Sequence, residues 1–82
     1  MYYVYIIQSE TTGKYYIGQT NNLLDRLTRH NSKQSKFTKN RGPWKLVYSE
    51  EYSTRNEALN RETQIKKMKS RKYIENLISL SG

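Results

Sequence analysis

Two segments rich in β-branched and aromatic residues, joined by a short turn sequence, constrain the fold of this chain most. Residues 2–8 (YYVYIIQ) carry no polar side chain except tyrosine hydroxyls before the last position, which is typical of a strand that is apolar on both faces. Residues 14–20 (KYYIGQT) form a second strand-like segment, and the SETTG sequence between them contains Gly13, which can adopt a positive φ. The sequence therefore predicts an N-terminal β-hairpin.

A helical pattern and then a basic segment follow the hairpin. Asn21 or Asn22 can cap a helix, because a side-chain oxygen at that position accepts a free backbone N–H. The apolar face of this helix is expected to consist of three leucines: Leu23, Leu24 and Leu27. Residues 31–43 show little periodicity and end in Gly-Pro, so we interpret them as a loop.

The remaining elements are a third strand and two helices. Residues 44–52 (WKLVYSEEY) have strand character, and Thr54 with Glu57 forms a capping box that predicts the start of a helix. Ser70 can cap a last helix, whose apolar stripe is Tyr73, Ile74, Leu77 and Ile78. The order β-β-α-β-α-α predicts an α+β fold, with a three-stranded, mainly antiparallel sheet flanked by helices, as a single domain over residues 1–82.

Charge and composition narrow the classes of partner. Fifteen Lys and Arg residues against seven Asp and Glu give a formal net charge of +8, which favours a polyanion, with nucleic acid ahead of an anionic membrane. The lack of cysteine excludes disulfides and thiolate zinc sites, and a single histidine excludes a His-rich metal site. No apolar run is long enough to cross a bilayer and no signal peptide is recognisable, so we expect a cytoplasmic bacterial protein, with association with the nucleoid left open.

Two polar residues of the first helix lie beside its leucine face. Arg26 and His30 are one turn apart and fall on the same side, so they are predicted neighbours at the edge of the core. Each also has a simpler interpretation. Arg26 could be a solvated residue with its aliphatic stem on the core, and His30 a helix-end histidine near the C-terminal dipole.

A carboxylate in the second helix stands out because it faces the predicted core. Glu62 falls within an apolar stripe made of Ala58, Leu59, Ile65 and Met68. An unpaired buried charge costs several kcal/mol, so Glu62 needs a partner. That partner could be Arg26, in a structural ion pair, or a hard cation such as Mg²⁺, which prefers carboxylate oxygens; the residues alone leave both open.

The register of the hairpin decides whether two of its tyrosines can act together. Directly opposed residues in an antiparallel pair have a constant sum of residue numbers. An odd sum places Tyr5 and Tyr16 on one face with Gly18, and an even sum places them on opposite faces. We predict the odd register, with both phenols directed toward Arg26. Gly18 within a strand indicates either a close approach of another group to the backbone or a bend.

These residues, taken in order, resemble the GIY-YIG nuclease superfamily, and in particular its small stand-alone bacterial members. The resemblance rests on YVY at 3–5, YIG at 16–18, Arg26, His30 and the distant Glu62. It implies an endonuclease that hydrolyses DNA phosphodiester bonds with a divalent metal, Mg²⁺ or Mn²⁺. The catalytic residues that it implies are Tyr5, Tyr16, Arg26 and His30, with Glu62 as the metal ligand.

The chain departs from the family pattern at three positions. Tyr3 stands where the family name has glycine, and Gln19 stands where relatives that act in DNA repair have a lysine. The larger members carry an asparagine on a late helix, for which Asn76 is the obvious counterpart, although it lies opposite the apolar stripe of that helix.

Two basic segments could hold phosphates without reading base sequence. They comprise Lys33, Lys36, Lys39 and Arg41 after the first helix, and Lys66, Lys67 and Lys69 near the end of the second. We therefore expect a DNA partner, including branched or damaged DNA, bound with little sequence specificity; RNA and an unspecified protein partner stay open. The alternative function is a non-catalytic or weakly catalytic nucleic-acid-binding module on the same fold, and a protein-interaction adaptor is a third.

Overall fold

The structure is a computed structural model that describes residues 1–32 and 42–81. The strands are Tyr2–Ser9 (β1), Tyr15–Thr20 (β2) and Trp44–Tyr52 (β3), and the helices are Leu23–Asn31 (α1), Arg55–Met68 (α2) and Arg71–Ser81 (α3). The three strands pair antiparallel in the order β2-β1-β3. The predicted α+β fold and its element order are therefore confirmed.

The helices begin at the capping residues that the sequence indicates. Asn22 caps α1, and its side-chain oxygen accepts the backbone N–H of Asp25 at 3.0 Å. Both hydrogen bonds of the capping box between Thr54 and Glu57 are present at the start of α2. The hydroxyl of Ser70 accepts a backbone N–H in the first turn of α3. These bonds satisfy N–H groups that have no partner inside a helix.

Two residues in turns adopt a left-handed backbone conformation. Gly13 in the hairpin turn has a φ of 74°, as its lack of a side chain permits. Lys69, the residue between α2 and α3, has a φ of 47° although it carries a Cβ. This conformation costs about 1–2 kcal/mol for a residue other than glycine. The short turn between the helices therefore contains a locally unfavourable residue.

The central strand β1 is buried on both faces, so the sheet lies between two layers of helix. On one face Val4 packs against Ala58 and Ile65 of α2. The predicted stripe of α3 contributes partly buried side chains to the same cluster: Tyr73, Ile74 and Leu77. On the other face the cluster comprises Tyr5, Ile7 and Trp44, with Tyr16, Leu23 and Leu27 packed against it.

The predicted apolar faces of α1 and α2 are wrong at three positions. Leu24 is 77% exposed. Helix α1 contacts the sheet through Leu23, Leu27 and His30, and the side chain of Leu24 lies outside this contact. Leu59 is 43% exposed and Met68 is 49% exposed, since the contact of α2 is a narrow line through Ala58 and Ile65. None of the helices in the described residues is long and apolar enough to span a membrane.

A hydrogen-bonded ion pair joins β3 to α2 and α3. Glu50 accepts hydrogen bonds from Nε of Arg61 at 2.9 Å and Nη2 at 3.1 Å. The hydroxyls of Tyr48 and Tyr52 also donate to this carboxylate, and Arg61 donates to the hydroxyl of Tyr73 at 3.2 Å. The network fixes the middle of α2 against the sheet, at the residue immediately before Glu62.

Candidate active site

The hairpin register places the two predicted tyrosines on one face of the sheet. Tyr5 lies opposite Gly18 and Ile7 opposite Tyr16, so opposed residue numbers sum to an odd value. The ring centroids of Tyr5 and Tyr16 are 6.5 Å apart. The structure therefore agrees with the predicted odd register, and both rings face the layer that contains α1.

Gly18 lets the ring of Tyr5 lie directly across the neighbouring strand. A Cβ atom at this position would collide with the hydroxyl of Tyr5 and would lie 2.6 Å from its Cζ. Any other residue at position 18 would push the ring away from the site. Of the two interpretations of this glycine, close approach to the backbone is the one that holds.

Helix α1 brings its histidine against both rings. His30 is only 3% exposed, and its Nε2 lies 3.0 Å from the hydroxyl of Tyr5. Its ring also meets the ring of Tyr16 edge-on, with centroids 5.0 Å apart. His30 does lie in the last turn of α1, as the helix-end interpretation expects, but its ring is enclosed between α1 and the sheet and contacts both tyrosines.

Arg26, one turn earlier on α1, supplies a positive charge with unused hydrogen-bonding capacity. Its Nε is buried and has no hydrogen-bond partner among residues 1–32 and 42–81. A buried guanidinium N–H without a partner is unfavourable, and such groups are rare unless a ligand or water completes them. Phosphate oxygens are suitable acceptors for a guanidinium. The interpretation of Arg26 as a solvated flank residue does not fit this burial.

Burial and neighbouring charges fix the protonation of the tyrosine and histidine. Burial, and to a lesser extent the nearby Tyr16, raise the pKa of Tyr5 to about 12 against the opposing effect of Arg26. Burial also lowers the pKa of His30, and the positive charge of Arg26 adds to that effect. At neutral pH Tyr5 keeps its proton and His30 is uncharged. Tyr5 is thus a hydrogen-bond donor in this site and not a base.

Glu62 belongs to α2, which packs on the other face of the sheet, but it is near enough to Tyr5 for its charge to act on that tyrosine. Its side chain is 15% exposed and pairs with Nζ of Lys66 at 2.8 Å, one helical turn away. Burial, Tyr16 and Arg26 affect the pKa of Tyr5 more strongly, but the charge of Glu62 raises it as well. Among the described residues the ion-pair partner of Glu62 is Lys66 and not Arg26, which corrects the first of the two alternatives from the sequence.

The donor set fits a divalent ion held by a single carboxylate. Within residues 1–32 and 42–81, no three His, Cys, Asp or Glu side chains come close enough to share an ion. Glu62 would therefore supply one ligand, and Mg²⁺ commonly keeps several waters and takes substrate phosphate oxygens as well. Lys66 is half exposed, so its side chain can leave Glu62 when a cation approaches.

Other predicted binding residues lie elsewhere. Lys66, Lys67 and Lys69 are exposed in the last turn of α2 and just after it. Asn76 is exposed on α3, which packs on the opposite face of the sheet from Tyr5. The basic residues after α1 lie outside the described residues: Lys33, Lys36, Lys39 and Arg41.

Two supporting residues were not anticipated from the sequence. The side chain of Asn31, at the end of α1, accepts the backbone N–H of Trp44 at 2.7 Å and donates to its carbonyl at 3.0 Å. The indole of Trp44 then packs edge-on against Tyr16, with centroids 6.5 Å apart. A lone tryptophan directly after Gly-Pro was the available signal, but its partner could not be read from the sequence.

Comparisons with known proteins agree with this arrangement. A family model described as the GIY-YIG catalytic domain matches residues 1–74. A UPF0213 protein of Clostridium perfringens is 40% identical over 82 residues, which cover 99% of this chain and 87% of the relative. One from Staphylococcus saprophyticus is 37% identical over 75 residues, or 90% of each chain. The solution NMR structure of a UPF0213 protein from Bacillus halodurans aligns with a TM-score of 0.63 at 36% identity, covering 100% of this chain and 87% of that one.

Proposed function

The chain belongs to the GIY-YIG family, and we propose that it is a divalent-metal-dependent endonuclease that hydrolyses DNA phosphodiester bonds with little intrinsic sequence specificity. The observation that carries this proposal is the buried Nε of Arg26, which has no partner in the part of the chain that the structure describes and belongs to a side chain beside Tyr5 and a neutral His30. Buried donors without an acceptor are rare in parts of a protein that serve only stability. A phosphodiester supplies the missing acceptor.

Arg26 would bind the phosphoryl oxygens and stabilise the charge that they gain as water attacks. Preorganised donors of this kind contribute several kcal/mol to a transition state. The formal net charge of +8 supports the same substrate class, because it attracts the DNA backbone. No base-reading element is recognisable in the sequence, so the contacts would position the backbone and not select a base sequence.

The two tyrosines would have different roles. Tyr5, with a pKa of about 12, keeps its proton and donates a hydrogen bond to the phosphate or to the attacking water. Tyr16 is half-buried beside it, and we assign to its phenolate form the removal of a proton from that water, so that the proton ends on the phenol oxygen. The water oxygen forms a bond to phosphorus, and the bond from phosphorus to the 3′ oxygen breaks.

Glu62 would hold the divalent ion. When bound there, Mg²⁺ or Mn²⁺ supplies a Lewis acid that stabilises negative charge on the leaving oxygen. His30 would keep the ring of Tyr5 in place through the 3.0 Å contact between its Nε2 and the hydroxyl.

The test is cleavage of supercoiled plasmid and of short duplex DNA by purified protein, with Mg²⁺, with Mn²⁺ and with chelator. Tyr16→Phe is expected to abolish cleavage while keeping DNA affinity and melting temperature. Tyr2→Phe is the matched control, because Tyr2 lies in the cluster on the other face of the sheet. Equal cleavage by Tyr16→Phe and Tyr2→Phe would remove Tyr16 from the mechanism.

A second candidate function follows from the ion pair of Glu62. Because Lys66 already neutralises this carboxylate, the site could bind a DNA phosphate at Arg26 without any metal. The protein would then be a nucleic-acid-binding module that does not cleave. Wild-type protein that binds DNA tightly but leaves it intact at all Mg²⁺ and Mn²⁺ concentrations would favour this function.

A further inference from the structure

A groove opens on the face of the sheet that carries α2 and α3, away from the two site tyrosines. It lies between the edge strand β2 and the junction of the two helices, and its volume is about 370 Å³. Three side chains form its apolar floor: Ile17, Ile65 and Ile74. This size is at the lower end of the range for small-ligand pockets, so the groove suits one compact planar group.

The rim of the groove is cationic. The side chains of Lys14, Lys66, Lys69 and Arg71 line it, and no acidic side chain of the described residues does. Lys66 and Arg71 pair with Glu62 and Glu75, which lie outside the lining. In the described part of the chain, no ion pair involves the ammonium groups of Lys14 and Lys69. An apolar floor beneath four cations is complementary to a base attached to phosphates.

An aromatic ring completes one wall. The guanidinium of Arg71 lies over the ring of Tyr15, 4.8 Å from its centroid. Tyrosine rings and guanidinium planes are the groups on which unpaired bases stack, independently of base sequence. A paired base cannot enter such a groove, because its edges and faces are occupied within the duplex.

Lys69 lines the rim although its backbone adopts an unfavourable conformation. It adopts a φ of 47°, where glycine would be less strained. The favourable interaction of a lysine with the C-terminal dipole of α2 is weaker than the backbone cost at this position. Its side chain is therefore better explained by a ligand than by folding.

Lys66 connects the groove to the candidate active site. It lines the groove and also contacts the carboxylate of Glu62 at 2.8 Å. A DNA strand whose phosphate lies at Arg26 and Glu62 can thus continue around the edge of β2 and place its next nucleotide in the groove.

We propose that this groove binds an unpaired nucleotide adjoining the cleaved phosphate, so that the preferred substrate is DNA with a single-stranded segment next to the cleavage position. The location of that phosphate rests on the proposed function. The cations of the rim would hold the phosphates of the unpaired strand, and the base would lie on the isoleucine floor beside Tyr15.

The test is fluorescence anisotropy in the presence of chelator, so that binding is measured without cleavage. The probes are a short blunt duplex, the same duplex with a thymidine tail on its 5′ or its 3′ end, and tails in which abasic sites replace the thymidines. Wild-type protein is expected to bind one of the two thymidine-tailed duplexes about tenfold more tightly than the blunt one, and to lose most of that preference with the abasic tail.

The double variant Lys14→Gln/Lys69→Gly removes two cations from the rim. It is expected to lose the preference for the tail, measured as the ratio of tailed to blunt affinity within the same variant, so that a general loss of phosphate contacts at Lys69 cancels from the comparison. Its melting temperature should equal or exceed that of wild type, because glycine relieves the strain at position 69. The matched control Lys45→Gln/Arg55→Gln removes the same charge from β3 and from the first turn of α2, outside the groove lining, and should keep the preference.

Three results would overturn the groove as a base-binding site: no tail preference in wild type, equal binding of abasic and thymidine tails, or an equal loss in the groove variant and the control. Failure of the nuclease proposal is distinguishable from these. A tail preference without metal-dependent cleavage would support the groove as a base-binding site and contradict the nuclease function. Cleavage that depends on Arg26 and Glu62, without a tail preference, would contradict the groove proposal alone.

Discussion

The hydroxyl of Tyr5 lies 3.0 Å from Nε2 of His30 and joins the central strand to the last turn of the first helix. The two residues are 25 positions apart, and both are almost fully buried. Because Tyr5 keeps its proton and His30 is neutral, this contact joins two uncharged groups beside the positive charge of Arg26. When Nε2 of His30 carries the ring proton, it donates to the Tyr5 oxygen, and the Tyr5 hydroxyl is then available for the donation to phosphate or water that we propose.

The first prediction concerns the pH dependence of stability through His30. Its pKa is lowered by burial and then by Arg26, so the unfolded chain binds more protons than the folded one below pH 6.5. The stabilisation is complete above that pH and is lost as pH falls toward the folded pKa. The melting temperature of wild type is expected to fall between pH 7 and pH 5, and that of His30→Gln to fall less. Equal slopes for the two proteins would contradict the burial of a neutral ring.

The second prediction concerns Arg26. Arg26→Lys keeps the charge but removes the buried Nε, so cleavage should fall by about 10²–10³-fold because the planar donor to the phosphate is lost. Stability should be unchanged or rise by about 1 kcal/mol, since an unsatisfied buried donor is removed. Arg29→Lys is the control, as Arg29 is exposed on the same helix. Cleavage is measured on plasmid DNA and stability by urea denaturation. A loss of stability without a loss of cleavage would show that Arg26 has a structural role and not a catalytic one.

The third prediction separates a metal ligand from a structural carboxylate at position 62. Glu62→Gln is expected to lose metal-dependent cleavage by several orders of magnitude while DNA binding persists. Its stability should change by less than about 1 kcal/mol, because the partner Lys66 is half exposed and can be solvated. Glu51→Gln, an exposed carboxylate on β3, serves as the control. If Glu62→Gln is destabilised but still cleaves DNA, Glu62 is not the metal ligand.

The fourth prediction concerns the ion pair that fixes α2. Glu50→Gln leaves the partly buried guanidinium of Arg61 without its carboxylate and should destabilise the protein by about 3 kcal/mol. Burial raises the pKa of Glu50, but hydrogen bonds from Arg61, Tyr48 and Tyr52 outweigh it, and the net shift is downward.

A depressed pKa means that Glu50 stabilises the fold above its unfolded pKa and loses that contribution as pH falls below it. The difference in stability between wild type and Glu50→Gln, measured by urea denaturation, should therefore be largest near neutral pH and shrink in acid. A difference that stays constant down to pH 3 would show that the carboxylate acts through its shape alone.

The fifth prediction concerns the basic residues of the segment after α1. Affinity for duplex DNA should fall steeply with salt concentration, because lysine and arginine contacts release counterions from the DNA. Replacing Lys33, Lys36, Lys39 and Arg41 together by glutamine should flatten the slope of log affinity against log salt. An unchanged slope would move the path of the DNA to the basic residues at the end of α2.

The sequence alone predicted the order of the elements and placed the strand boundaries and the end of α1 to within about one residue. The hairpin, the α1 cap at Asn22 and the capping box of Thr54 and Glu57 depend on residues close together along the chain. Their energies depend little on the rest of the fold, so patterns of apolar residues, turn formers and caps were sufficient. The same-face placement of Tyr5 and Tyr16 was also accessible, because strand geometry allowed only two arrangements. The identity of the candidate site residues came from the resemblance to a family.

Only the tertiary structure decided how those residues meet. In the structure Leu24 is exposed and His30 is buried. Glu62 pairs with Lys66, and the side chain of Asn31 bonds to the backbone of Trp44. The unsatisfied Nε of Arg26 is likewise invisible in the sequence. The physical reason is that burial and most side-chain pairing are set by the distance and tilt between packed elements, and a periodic pattern defines a face of a helix without defining how much of that face its neighbours cover.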